Sequence, residues 1–161
     1  MSESNPWIVL LDHNFTLVEN SHERRSPFIE QIAIEQYRAW LVELVRPERV
    51  ILVTARPQRY EVATIRSIAA KCGGWTPAEW HFNATGERPP AWKERVLMER
   101  LLPRFSEDRS RLVAIESNPK TARMYGSHGI ASFRAEEVRA WKRLRASDIS
   151  RRASAGDSTR P

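Results

Sequence analysis

Trp7-Ile-Val-Leu-Leu-Asp12-His13-Asn14-Phe15-Thr16-Leu17 decides how this chain reads: five apolar residues run straight into an aspartate, a polar turn and Thr-Leu. An unbroken run rich in Ile, Val and Leu suits a central strand buried on both faces of a parallel sheet. The aspartate then sits at the carboxyl edge of that sheet, where open α/β folds bind their ligands.

The same pattern recurs outward from this stretch. Val50-Ile-Leu-Val-Thr54 is a second buried strand ending in a hydroxyl, Leu112-Val-Ala-Ile115 leads into Glu116, and Trp80–Asn83 and Gly129–Phe133 are weaker strand candidates. Helical spacing fills the intervals. Ser26-Pro27 reads as a helix start, serine as N-cap and proline at the first helical position. A single helix then carries Phe28, Ile32, Tyr37, Trp40, Leu41, Leu44 and Val45 inward until Pro47 stops it. Further helices are expected from Gln58 to Lys71, burying Val62, Ile65, Ile68 and Ala69, and from Trp92 to Leu102. A short one follows from Pro119 to Tyr125, and a last amphipathic one from Ala135 to Arg145. Alternation of strand and helix predicts an α/β, three-layer Rossmann-like fold with a mostly parallel sheet. Right-handed crossovers then bring Asp12, Thr54 and Glu116 to one rim.

Length and composition set the frame. At 161 residues the chain fits one domain, expected at 6–145, after a polar leader at 1–5 and before a disordered basic tail at 146–161. No apolar run approaches the roughly 18 residues of a membrane span, and no basic segment precedes the first apolar run, so neither a span nor a secretory signal is read. Cys72 is the one cysteine, which removes disulfides and cysteine-rich metal sites; together these point to a cytoplasmic protein. The net charge of +6 is concentrated at the end. From residue 139 onward seven basic residues (Arg139, Lys142, Arg143, Arg145, Arg151, Arg152, Arg160) face two acidic ones (Asp148, Asp157). A basic tail attracts polyanions, so nucleic acid is a weakly supported partner on charge alone.

Asp12-His-Asn-Phe-Thr16-Leu17, Val53-Thr54-Ala-Arg56, Lys93 and Glu116-Ser-Asn118-Pro resemble, in order and spacing, the four motifs of the haloacid dehalogenase (HAD) superfamily. The resemblance runs over about residues 7 to 133. It implies a HAD-like fold, and the intervals between motifs leave no room for a separate cap domain. It also implies a Mg²⁺-dependent phosphohydrolase acting through an aspartyl-phosphate on Asp12, with Thr54 binding the transferring phosphoryl group and Lys93 neutralising charge. Mg²⁺ would be held by Asp12, the Asn14 carbonyl and Glu116. Arg56, His13 and Asn118 are candidate substrate contacts. A capless site in this superfamily accompanies large phosphorylated substrates such as proteins or nucleic-acid ends. Thr54-Ala-Arg56-Pro before a helix also resembles the phosphatase domain of phage-type polynucleotide kinases.

Two positions depart from the family pattern. Asn14 stands where its phosphatases carry a second aspartate that protonates the leaving group, and an amide has no such proton. His13 is the adjacent alternative source. Asn118, near Glu116, replaces a second acid and thins the metal site. The alternative reading is therefore a catalytically degenerate protein of the same fold that binds a phosphorylated ligand or partner without turnover. A phospho-receiver domain is disfavoured, because its acidic pair follows the first strand and here Asp12 stands alone.

Overall fold

The computed structural model describes residues 5–157. Its centre is a five-stranded, wholly parallel sheet in the order β3-β2-β1-β4-β5. The strands are β1 (Ile8–Leu11), β2 (Arg49–Pro57), β3 (Glu79–Asn83), β4 (Leu112–Ile115) and β5 (Ala131–Phe133). Every residue of β1 and β4 is buried, as two-sided burial of these unbroken apolar runs requires.

Alternation along the strands separates two cores. Val9, Leu11, Val50, Leu52, Val113 and Ile115 face one layer. It is built from α2 (Ala39–Val45), α3 (Glu61–Lys71), α6 (Ala135–Val138) and α7 (Ala146–Asp157). Ile8, Leu10, Ile51, Val53, Leu112 and Ala114 face the other, formed by α4 (Pro89–Val96), the wide turn Leu97–Leu101 and α5 (Pro119–Ser127). The fold is thus α/β, three-layered and Rossmann-like. The chain builds β2 and β3 outward on one side of β1, then returns to place β4 and β5 on the other. The strand order reverses between β1 and β4, and open sheets bind ligands at that crevice. Asp12 and Glu116, the residues that follow these two strands, flank it. Among the described residues no domain is inserted in the intervals: α1 (Phe28–Ile34) and α2 lie between Asp12 and Thr54, and α3 and β3 between Thr54 and Lys93.

Several sequence expectations are corrected. The long helix after Pro27 is two helices, because Glu35 to Arg38 leave helical geometry. Tyr37 forms an antiparallel bridge with Val18, and Arg38 N donates to the Leu17 carbonyl (2.9 Å). The cap of α1 is Pro27, with no side-chain bond from Ser26. Of the residues expected inward on α3, Ile68 is buried, Ile65 and Ala69 are partly buried, and Val62 is 62 % exposed; Thr64 is the other buried side chain. The helix at Ala135 ends at Val138, although Leu144 is still buried and Trp141 packs edge-on against Phe133 at 5.1 Å. Order does not stop at 146: α7 continues to Asp157 and buries Ile149 in the core. Residues 1–4 of the expected leader and 158–161 of the expected tail lie outside the described residues. Among the described residues, no helix is long and apolar enough to cross a membrane.

Candidate active site

The site begins where β1 runs out. Asp12 N still donates to the Ile115 carbonyl (3.0 Å), so the aspartate is fixed by the ladder between β1 and β4. A wide turn follows, closed by Leu17 N to Asp12 O (3.3 Å) and Val18 N to His13 O (3.0 Å). This turn folds Thr16 back so that its hydroxyl donates to Asp12 Oδ2 (2.7 Å). It also holds Phe15 at φ +59°, a left-handed conformation unfavourable for a bulky residue; Phe15 N is anchored on Ser21 Oγ (2.7 Å) and its ring is 49 % exposed.

Lys93 comes from α4 on the opposite layer and is itself buried. Its Nζ donates to Asp12 Oδ1 (2.7 Å) and to Glu116 Oε2 (2.6 Å), one cation between two carboxylates. Burial raises the Asp12 carboxyl, but the charge and hydrogen bond of Lys93, with the Thr16 and Ser117 hydroxyls, outweigh it and hold Asp12 below the usual carboxylate range. Glu116 goes the other way: burial and the Asp12 charge push it up to about 7 against the pull of Lys93. Burial disfavours the ammonium, yet the two carboxylates raise Lys93 above its ordinary value. Asp12 is therefore ionised and Lys93 charged at neutral pH.

The second oxygen of Asp12 faces a different set. Ser117 Oγ donates to Asp12 Oδ2 (3.0 Å) and lies 3.3 Å from the Asn14 carbonyl oxygen. Asp12, the Asn14 carbonyl and Ser117 thus gather three hard oxygens around one point. Glu116 is turned elsewhere, with Oε2 on Lys93 and Oε1 accepting from Asn118 N (3.0 Å). Among the described residues there is no group of three or more His, Cys, Asp or Glu side chains that could hold a metal. A hard cation that keeps several waters suits such a sparse oxygen set.

The side chain of Asn14 points away from this cluster. Its Oδ1 accepts from Arg56 Nη2 (2.9 Å) and lies 3.1 Å from His13 Nδ1. Arginine has only donors, so the amide oxygen must be the atom that faces it. Arg56 is buried and pairs with Glu35, donates from Nη1 to Thr64 Oγ1 (2.9 Å), and lies 5.0 Å from the Phe28 ring centroid. His13 is fully buried, and desolvation with the Arg56 charge lowers it to about 3. Its 3.8 Å approach to Glu35 is consequently not an ion pair: the ring is neutral and Nε2 has no hydrogen-bond partner. Thr54 is buried at the rim, its hydroxyl accepting from Arg56 N (3.1 Å) and its carbonyl from Trp92 Nε1 (3.0 Å). Asn118 caps α5 by accepting from Lys120 N (2.9 Å).

No family model matches the chain, and no curated protein sequence does. Solved structures do. A chain of the Pnkp1/Rnl/Hen1 RNA repair complex superposes with a TM-score of 0.61 at 14 % identity, covering 83 % of this chain and 43 % of that one. A chain of a second structure of the Pnkp1/Rnl/Hen1 complex gives 0.62 at 16 % identity, over 83 % and 47 %. The likeness is one of fold. This chain spans less than half the length of either neighbour.

Asp12, Lys93 and Glu116 are brought into direct contact, and Thr54 is set on the same rim. His13, Arg56 and Asn118 are engaged by other protein groups. Three contributors went unread in the sequence. Ser117 was legible only as the neighbour of Glu116. Thr16 was part of the first motif without an assigned bond. Glu35 was hidden inside a helix expected to be continuous. Chemically, the site offers an ionised, desolvated carboxylate with a fixed cation on one oxygen and hydroxyls on the other.

Proposed function

We propose that the protein is a HAD-type phosphohydrolase that cleaves phosphoric monoesters through a covalent intermediate on Asp12. The observation that carries this reading is the state of Asp12: ionised, at the switch point of the sheet, with Lys93 on one oxygen and Thr16 and Ser117 on the other. A carboxylate oxygen of Asp12 attacks phosphorus, and the bond from phosphorus to the leaving oxygen breaks with its electron pair departing on that oxygen. Water then attacks the acyl phosphate, releasing inorganic phosphate and restoring the carboxylate. Lys93 offsets the repulsion between this carboxylate and an incoming dianion, and positioning with electrostatics does most of the work. Mg²⁺, which Asp12, the Asn14 carbonyl and Ser117 would hold, supplies further charge neutralisation; Glu116 acts by fixing Lys93. Thr54, on the rim, is the hydroxyl assigned to the phosphoryl oxygens.

The substrate class we infer is a nucleic-acid end. Support comes from a site without an inserted domain and from fold neighbours that belong to an RNA repair complex. A second reading, binding of a phosphorylated ligand or partner without turnover, is favoured by one observation: the Asn14 amide, tied to Arg56 and His13, offers no proton to a leaving group.

Turnover of an aryl phosphate with and without Mg²⁺, for wild type and Asp12→Asn, separates the two. The phosphohydrolase reading expects Mg²⁺-dependent release of the phenol that the variant loses. Undiminished activity in Asp12→Asn contradicts it, and a folded wild type that binds but never turns over favours the second reading.

A further inference from the structure

A cavity of about 260 Å³ opens beside the nucleophile, over the carboxyl ends of β4 and β5. Its lining includes Ser117 and Asn118 together with Arg123, Arg134 and Arg152. Ser117 joins it to the site, because the hydroxyl in its wall is the one that donates to Asp12 Oδ2 (3.0 Å). We propose that this cavity is a second anion subsite, which holds the internucleotide phosphate next to the terminal phosphate presented to Asp12. It rests on the phosphohydrolase reading and extends it.

The charge balance of the walls carries the argument. Two acids line the cavity, and both are already engaged: Glu116 accepts from Lys93 (2.6 Å), and Glu137 pairs with Arg152. Arg152 is held further by Nε donating to the Ser132 carbonyl (3.3 Å) and by its position 5.3 Å from the Phe133 ring centroid. Arg123 and Arg134 are exposed, and among the described residues neither guanidinium has a carboxylate partner. Two guanidinium groups without a carboxylate partner, lining a cavity large enough for a phosphate, match the donors that a phosphodiester accepts. The wall is complete only because α7 is ordered, since Arg152 belongs to that helix.

The test measures binding in an Asp12→Asn background, so that no turnover intervenes. The probe is a short single-stranded oligonucleotide with a terminal phosphate, followed by fluorescence anisotropy across a salt series. A nucleoside monophosphate and a phosphoserine peptide serve as comparisons. Replacing Arg123 and Arg134 together by Ala is expected to weaken oligonucleotide binding by about tenfold or more. It should also flatten the salt slope by about one to two, while leaving nucleoside monophosphate binding in place. The Arg123→Lys, Arg134→Lys pair keeps the charges and should recover most of the slope. Oligonucleotide binding with unchanged affinity and slope in the double Ala variant overturns the subsite, as does failure of the parent to bind the oligonucleotide. An Arg-dependent loss seen with the peptide and not with the oligonucleotide overturns it as well. Failure of the phosphohydrolase reading shows separately, as absent turnover by wild type while arginine-dependent binding persists.

Discussion

At position 14 the amide oxygen accepts from Arg56 and approaches His13, so this side chain braces the turn beneath Asp12 rather than facing a leaving group. His13 does not replace the missing acid, because it is fully buried and neutral down to about pH 3. On the proposed phosphohydrolase reading, neither Asn14 nor His13 protonates the leaving oxygen, which favours good leaving groups such as phenols over alcohols. Asn14→Asp should raise turnover on alkyl phosphates by up to about 10²–10⁴-fold and change aryl phosphates much less. Parallel assays on one alkyl and one aryl ester check this, and a loss on both would show that the amide serves the turn alone. Asp12 and Glu116 stood out in the sequence because each directly follows a wholly apolar strand. Thr54 stood out as the polar residue closing an apolar run, although β2 continues past it to Pro57, and Lys93, on α4, stood out only through the order of the motifs. Ser117 was not, since its role depends on the distance between the ends of β1 and β4 and not on any spacing in the chain.

Strands were the easiest elements to read. β1 and β4 are short, wholly apolar and buried on both faces, and their ends coincide with the change to polar residues. Helix ends were harder. The apolar stripe from Phe28 to Val45 continues across the break at Glu35–Arg38, so periodicity alone does not register that these residues pair with the chain near Val18. That break is also what places Glu35 against Arg56. The segment after 146 looked unpatterned because few of its residues are apolar, yet Ile149 anchors it in the core cluster with β5 and α6. Ile149→Ala should cost about 2–5 kcal/mol of stability, as for other buried aliphatic truncations. Urea denaturation of the full chain reads this directly. An unchanged midpoint would mean that α7 does not pack in solution.

On the scale of the whole molecule, the parallel sheet gathers residues distant in sequence onto one rim, with Asp12 and Glu116 flanking the crevice between β1 and β4. Lys93 crosses from the opposite layer to meet Asp12 and Glu116, so both cores must be intact for the charges to be held at 2.6–2.7 Å. The excess positive charge is not spread over this rim. Much of it lies between α6 and α7, at Arg139, Lys142, Arg143 and Arg145, whereas α7 itself balances Arg151 and Arg152 against Asp148 and Asp157; Arg152 lines the cavity beside Asp12. The account stands or falls on Asp12 becoming covalently phosphorylated. Incubating the protein with a substrate labelled in its phosphoryl group, quenching in acid and mapping the retained label tests this most directly. The account predicts Mg²⁺-dependent label on the peptide containing Asp12, absent from Asp12→Asn; turnover without any protein-bound label, or label that persists in the variant, would contradict it.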